Sequence, residues 1–295
     1  MSQWRVLDLL NFDGEVTASQ GHIYIGDKSI GLIDVATILT GPRVKLTGSL
    51  IDRACAFSVT VLPCDWRGIP LTAINPWSTH SSVGKRHRAQ ASLSEPRQKN
   101  AWMHIVKSKI QGQSANLDSH SAVRFRLDNI RKSVRSGDPS NCEAQAARFY
   151  WSDLFLGEKF NRDRTAGDSR NALLNYGYTI LRGLVIRHTV ASGLWPTLGV
   201  WHRNRANTFA LADDLMEPFR PAVDWLVRSL PPGTSLKDPG TRQHLVGVSN
   251  IKFGQSTFTL STEIEKTCQR FGQYVEGDFD TFVVDSWALP TDEHG

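Results

Sequence analysis

Residues 211–221, LADDLMEPFRP, set three carboxylates, Asp213, Asp214 and Glu217, inside an otherwise apolar stretch that runs on to Trp225, Leu226 and Val227. On a helix, Asp214 and Glu217 share a face at roughly 5–6 Å, and Asp213 faces Glu217 at the neighbouring spacing of four. No lysine stands beside them in the sequence to offset the repulsion. Repulsion of this kind is relieved by a divalent cation or by a raised pKa. Pro218 and Pro221 lack the N–H groups that would bond the carbonyls of Asp214 and Glu217, so a kink is predicted beside the acids. Asn204 to Ala210 already reads as helix, which places the acids in mid-helix rather than in a first turn where the macrodipole would favour them.

Two further places carry groups able to join such a site. In GDPSNCEAQAARFYW, Ser140 and Glu143 have the spacing of a capping box, in which the glutamate returns a hydrogen bond to the cap residue's N–H. A carboxylate one turn into a helix, flanked by Ala144, Ala147 and Trp151, can equally face a cleft, and the spacing leaves both readings open. In LWPTLGVWHRNRANTF, His202 lies in a loop that leads into the acidic helix, with Asn204 and Asn207 as candidate caps. Its imidazole is within reach of a metal held by that helix. Two carboxylates and one imidazole, the remaining positions left to water and phosphate oxygens, suit Mg²⁺ or Mn²⁺ better than zinc. Such a site stabilises charge on a phosphorus under in-line attack.

The charge balance points the same way. The chain of 295 residues has a net charge of +5, and its distribution is uneven. Residues 77–135 hold twelve basic against three acidic side chains, whereas residues 1–76 hold six against seven. The basic stretch contains Lys85, Arg86 and Arg88, then Arg97, then Arg124, Arg126, Arg131 and Lys132; Arg203 and Arg205 add to it beside His202. A surface for phosphates is the reading, with a solvated face or a subunit contact as the alternatives. The acidic stretch from about residue 276 reads as a docking segment or a solvated tail.

The four cysteines, Cys55, Cys64, Cys142 and Cys268, show no CxxC pair, which suggests neither a zinc site nor a disulfide framework and fits buried thiols in a reducing cytoplasm. Arg5 and Asp8 interrupt the first apolar run and Arg182 interrupts YTILRGLVI, so neither a signal peptide nor a membrane span is expected.

The elements that must position these residues change character along the chain. GEVTASQGHIYIG predicts two strands with a turn at Gln20-Gly21, SVTVLPCDWRGIPLTAI two more joined at Asp65 to Gly68, and GSLIDRACAF a short helix capped by Ser49. Residues 77–97 read as an exposed basic linker. From there the apolar positions recur at three and four, predicting helices at about 140–158, 169–191, 205–230 and 261–275. The class expected is α+β: a β-rich domain over 1–76, a linker over 77–97 and a helical domain over 98–295.

The order CEAQAARFYW, then NALLNYGYTILRGLV, then GLWPTLGVWHRNRANTFALADDLMEPFRPAVDWLV resembles the CRISPR-associated integrases, the larger subunit ("Cas one") of the spacer-acquisition machinery, and within them the type II branch. The match is dense from about residue 140 to 228. A glutamate in E-x-Q-A-x-x-[FY]-[FYW], a histidine in G-[IV]-x-H and an acid in D-L-x-E-x-F-R-P form a specific combination. The resemblance implies a β-sandwich-like N-terminal domain, a helical catalytic domain, a homodimer, and two dimers bracketing a dimer of a smaller adaptation protein ("Cas two"), alongside type II effector machinery. It implies that Glu143, His202 and Glu217 ligate Mg²⁺ or Mn²⁺ with Asp214 as an auxiliary acid. Many relatives have aspartate at the last ligand position, which leaves the choice among Asp213, Asp214 and Glu217 open. Tyr176 and Tyr178 of NYGY either line the site or belong to the core. The implied chemistry is attack by a DNA 3′-hydroxyl on a phosphodiester of a CRISPR repeat. A non-catalytic DNA-binding scaffold and a plain metal-dependent nuclease on branched or single-stranded nucleic acid are the competing functions.

Overall fold

The computed structural model of the chain describes residues 5–66, 68, 70–76, 80–163, 169–202, 204–254 and 258–289. Among them the strands come first: β1 (Arg5–Leu9), β2 (Gly14–Ser19), β3 (His22–Ile25), β4 (Lys28–Gly31), β5 (Val35–Thr40), β6 (Val44–Leu46) and, after helix α1 (Gly48–Ala56), β7 (Thr60–Pro63). β1, β5 and β7 form a parallel three-stranded sheet, and β4, β3, β2 and β6 a mixed four-stranded one. The turn expected at Gln20-Gly21 is present, with φ of 47° and 81°, the left-handed pair that matches the twist of a two-residue hairpin. The cap of α1 is Thr47 rather than Ser49: Thr47 Oγ1 accepts from the Leu50 amide at 3.3 Å. The strand expected after Gly68 is reduced to isolated bridges, Cys64 with Pro70 and Val61 with Ile74; a proline there has no N–H for a ladder.

The two sheets face each other across a shared core. Val16, Ala18 and Ile23 come from the mixed sheet, Leu9, Val35, Ile38 and Val61 from the parallel one, and Leu50 and Ala54 from α1. The opposite face of the parallel sheet, with Val6, Ala36, Leu39 and Leu62, belongs to the core of the helical region. All six residues of β5 are buried, as a parallel strand covered on both sides requires.

The helices are α2 (Val83–Ala91), α3 (Glu95–Ala115), α4 (Ala122–Ser133), α5 (Cys142–Leu154), α6 (Ser169–Ala191), α7 (Ala210–Leu215), α8 (Arg220–Ser229), α9 (Pro239–Val246) and α10 (Leu260–Glu276), with 3₁₀ turns at Glu217–Phe219 and Gly247–Asn250. The chain is α+β, strands and sheets first and helices after. None of the described helices is long and apolar enough to cross a membrane. The stretch 77–97, read as a linker, carries α2, which packs against α10. Polar side chains enter the interior there because each finds an acceptor: Arg86 Nη1 donates to the Ser192 carbonyl at 2.5 Å, and Gln90 Nε2 to the carbonyls of Trp195 and Leu198 at 2.9 and 2.8 Å.

Two glycines let the long helices approach the segment that bears the acids. A Cβ at Gly112 of α3 would stand 2.9 Å from Pro221 Cγ, and one at Gly177 of α6 would stand 2.5 Å from Val223 Cγ1. Val223 is β-branched and fully buried, so it has no rotamer to move into. Overpacking of about 1–3 kcal/mol, set against the ~1 kcal/mol that alanine gains over glycine within a helix, should leave Gly177→Ala less stable by up to about 2 kcal/mol. Urea unfolding measures this, and a variant as stable as the parent would mean that α6 and α8 have room between them.

Candidate active site

The predicted kink is a full break. α7 ends at Leu215, the backbone tightens into the 3₁₀ turn Glu217–Phe219, and α8 begins at Arg220. Phe219 N bonds the Met216 carbonyl at 3.0 Å, and Arg220 N takes the Glu217 carbonyl, the three-residue spacing that prolines leave available. Helix begins only at Ala210, so Asp213 lies in a first turn and not in mid-helix as the sequence suggests. Asn207 explains this: its Oδ1 accepts from the Phe209 amide at 3.0 Å and closes a turn ahead of the helix.

The three acids serve three different partners. Asp213 is gripped by Arg182 of α6, Nε to Oδ1 at 2.6 Å and Nη2 to Oδ2 at 2.9 Å. Asp214 is fully buried and points into the loop before it: it accepts the amides of Val200, Trp201 and His202 at 2.6, 3.0 and 3.2 Å and lies 2.6 Å from His202 Nδ1. Gly199 permits this closure, since a Cβ there would stand 2.8 Å from Asp214 Oδ2. Glu217 turns the other way, toward α3 and α5.

There it meets Glu143 across a lysine that the sequence reading missed. Lys109 Nζ of α3 lies 2.5 Å from Glu143 Oε1 and 2.5 Å from Glu217 Oε2, and Arg220 Nε lies 2.8 Å from Glu217 Oε1. The contact to Glu217 Oε2 is an ion pair outside hydrogen-bond geometry, so that buried oxygen accepts no hydrogen bond. Burial disfavours the Glu217 carboxylate, but Arg220 and Lys109 outweigh it and hold its pKa well below the usual range. Burial likewise opposes the Lys109 ammonium, and Glu217 and Glu143 more than restore it. The cations that neutralise the acidic segment are thus the chain's own. Lys109 was findable: it falls one turn on from Ile105 and Val106 on the buried side of α3, and a lysine there needs a buried partner.

Glu143 is not part of a capping box. The first amides of α5 are satisfied by Asp138, whose two carboxylate oxygens accept from Cys142 N at 2.8 Å and Glu143 N at 2.9 Å. That leaves the Glu143 side chain to Lys109. His202 is half-exposed and its Nδ1 is committed to Asp214, which leaves Nε2 as the free ring nitrogen. The hydrogen bond to Asp214, set against burial, raises the His202 pKa. Among the described residues no three carboxylate, imidazole or thiolate groups stand together as a ready ligand cluster.

The remaining candidates separate into interior and surface. Tyr176 OH donates to Asp8 of β1 at 2.6 Å, away from the acids. Tyr178 OH donates to buried Asp224, and its ring lies 4.6 Å from the Arg220 guanidinium, so it backs the site from behind. Of the basic residues, Arg86 is buried, and Arg97 donates to the carbonyls of Tyr274 and Phe279. Arg126 lies 3.6 Å over the Phe149 ring, Arg124 bonds the Leu117 carbonyl at 3.3 Å, and Arg131 is half-buried. Lys85, Arg88, Lys132 and Arg205 are exposed, Lys85 lying 3.6 Å from Glu276. Arg203 lies outside the described residues, as does the end of the acidic C-terminal stretch.

Asp224 shows how tightly this region is sealed. Burial, opposed by hydrogen bonds from Tyr178 and Tyr150, pushes its pKa from 3.8 up to about 6. A carboxyl raised in the fold contributes its full stability below the unfolded value and loses it as pH climbs through the folded one. Between pH 4 and about 6 this group should therefore cost the protein about 3 kcal/mol. Asp224→Asn should flatten that part of the stability-against-pH curve in chemical denaturation, and parallel curves for the two proteins would refute the assignment.

Comparison with known proteins converges on the resemblance drawn from residues 140–228. The family model described as "CRISPR associated protein Cas1" matches residues 15–248. A protein of Neisseria meningitidis serogroup C named "CRISPR-associated endonuclease Cas1" is 34% identical over 280 residues, covering 91% of each chain. Among solved structures, a casposase bound to an integration product aligns with a TM-score of 0.76 at 20% identity, covering 95% of this chain and 92% of that one. A Cas6-RT-Cas1–Cas2 complex aligns with a TM-score of 0.76 at 20% identity, covering 99% of this chain and 37% of that one. The structural likenesses establish the fold; the family model and the Neisseria relative, taken with it, show that the chain belongs to the CRISPR-associated Cas1 family.

Proposed function

We propose that the chain is a metal-dependent DNA integrase and endonuclease that inserts short DNA fragments into a CRISPR array. The observation that carries this reading is the meeting of Glu143 and Glu217, from separate helical segments, at one 2.5 Å cation contact each. The imidazole of His202, whose orientation Asp214 fixes, lies within electrostatic reach of Glu217. The residues fit a divalent ion: Glu217 Oε2 is a buried acceptor with no hydrogen bond, and two carboxylates with one imidazole are the donors that Mg²⁺ or Mn²⁺ takes. Glu143, Glu217 and the Nε2 of His202 would hold the ion, and it would supply charge stabilisation at phosphorus and a lowered barrier to deprotonating the nucleophile.

The chain's own residues do the rest. Asp214 accepts the Nδ1 proton, which keeps Nε2 as the donor to a cation and fixes the ring. On this reading Asp214 positions the imidazole and Asp213 is taken up by Arg182, and Glu217 would be the acid that holds the metal. Arg220 neutralises the far oxygen of Glu217 and keeps it ionised. The 3′-hydroxyl oxygen of the incoming fragment attacks a target phosphorus, the bond from phosphorus to the target's own 3′ oxygen breaks, and that oxygen leaves as a new 3′-hydroxyl. Water in the attacking position gives cleavage alone. The relative's name as an endonuclease, and the integration product and Cas2 present in its structural neighbours, support this assignment and with it DNA and Cas2 as partners.

Alanine at Glu143 or His202, and glutamine at buried Glu217, where alanine would leave Lys109 and Arg220 without their carboxylate, should each lower Mn²⁺-dependent cleavage and joining by at least about a hundredfold, with DNA affinity at fixed salt retained. Activity that survives His202→Ala removes the imidazole from the site. Cleavage without joining of a labelled fragment to a supercoiled, repeat-bearing plasmid makes the protein a plain nuclease, and DNA binding with neither cleavage nor joining by the parent in Mn²⁺ leaves a scaffold.

The placement of the basic side chains separates two effects that charge counting merges. Lys132→Ala, at an exposed position, should reduce the slope of log affinity for DNA against log salt by about one. Arg86→Ala should leave that slope unchanged and lower the thermal midpoint, because its guanidinium serves the Ser192 carbonyl and Glu276. Equal slope changes in both would mean that Arg86 reaches DNA after all.

A further inference from the structure

The same ammonium that joins the two carboxylates also stands where a cation between them would have to stand. Of the two Glu217 oxygens, Oε1 is held by Arg220 at 2.8 Å, and Oε2 is the one Lys109 faces at 2.5 Å. Glu143 offers Oε1 to the same ammonium, which is nearly buried, with a side-chain exposure of 10%. A divalent ion held by both carboxylates would need the same gap. It cannot share that gap with an ammonium, since the two cations would repel at contact distance.

The two basic residues differ in how readily they yield. Arg220 is a planar fork fixed against Glu217 and the Tyr178 ring. Lys109 ends a flexible four-carbon stem, held by an ion pair to Glu217 Oε2 and a hydrogen bond to Glu143 Oε1. A point-charge ammonium on such a stem swings aside where a planar guanidinium held on two sides does not. We infer that Lys109 is the resident counter-ion of the site: it holds Glu143 and Glu217 together in the metal-free protein, competes with the divalent ion for Glu217 Oε2 and Glu143 Oε1, and must withdraw when the ion enters. The inference rests on the metal site proposed above and adds to it a built-in antagonist on α3.

The competition sets metal affinity in a way that a purely structural lysine would not. The apparent dissociation constant is the intrinsic one divided by the fraction of molecules in which the site is open, so an ammonium in place nine times in ten weakens binding about tenfold. Mn²⁺ titration by calorimetry, checked by the loss of free-ion paramagnetic resonance signal, should find Lys109→Met binding at least about tenfold tighter than the parent, with a larger Mn²⁺-induced rise in thermal midpoint. Lys109→Arg, which keeps the charge, should gain none of this. Equal or weaker Mn²⁺ binding by Lys109→Met overturns the inference; absence of Mn²⁺ binding in both the parent and Lys109→Met overturns the metal site itself.

A second measurement uses the unaltered chain and is independent of how well the variants fold. Brief labelling with an amine-reactive reagent, read by mass spectrometry, should modify Lys109 slowly without metal and severalfold faster with saturating Mn²⁺, while Lys132 keeps its rate. An unchanged Lys109 rate in protein shown to bind Mn²⁺ means that the ammonium does not withdraw, and the competition is refuted.

Discussion

The repulsion between Glu143 and Glu217 is the constraint around which the helical region is arranged. A carboxylate taken out of water costs several kcal/mol even after relaxation, and Glu217 is almost wholly buried. It is tolerable only because cations arrive from two directions, Lys109 from α3 and Arg220 from the start of α8. α3 must therefore lie close enough to the break after α7 for a lysine to span the gap. The glycine at 112, set against Pro221, and the glycine at 177, set against Val223, are what that closeness demands of the backbone.

The break itself distributes the charge. An uninterrupted helix would hold Asp214 and Glu217 on one face, where like charges three apart repel. The 3₁₀ turn enforced by Pro218 swings Glu217 toward α3 and α5 while Asp214 stays with the loop that carries His202. Each acid then has a separate neutralising environment: a guanidinium for Asp213, three amides and an imidazole for Asp214, an ammonium and a guanidinium for Glu217. Two prolines thus convert one unfavourable cluster into three satisfied sites.

Much of this was legible in the sequence, and what was not has a common cause. Helix α6 falls at 169–191 as its periodicity predicts, because an apolar stripe is a local property of the chain. Glu143, His202 and Glu217 stand out by residue type and motif. The capping-box reading of Glu143 failed because Asp138, at a positive φ of 45°, curls back to take the same amides, and local spacing cannot rank two acids for one donor. Lys109 went unread because its partners lie 34 and 108 residues away along the chain, and neutralisation was sought only nearby. Counting charge located a basic stretch correctly in sequence but said nothing of depth, so Arg86 and Arg97 read as surface when each is spent on backbone carbonyls.

Exposure completes the logic of the site. Asp214 has no accessible side-chain surface, Glu217 has 5%, Glu143 27% and His202 42%. On the function proposed above, the order runs from the residues that fix geometry to those that would meet a ligand. Buried Asp214 sets the imidazole from beneath, and packing rather than solvent decides its angle; Trp102 presents its ring edge-on to His202 at 5.8 Å and closes one side. The free ring nitrogen and the Glu143 carboxylate are left on the side that water reaches. A phosphodiester in a duplex is too large to enter a sealed pocket, so a site for it has to sit at the surface with its charges held from below. The arrangement of Glu143, His202 and Glu217 meets that requirement on the function proposed above, with α6 braced against the parallel sheet through Gly183 and Leu62 and against β1 through Tyr176 and Asp8. The β region thereby stiffens the floor on which the acids stand, and precision at the surface is inherited from packing two layers beneath it.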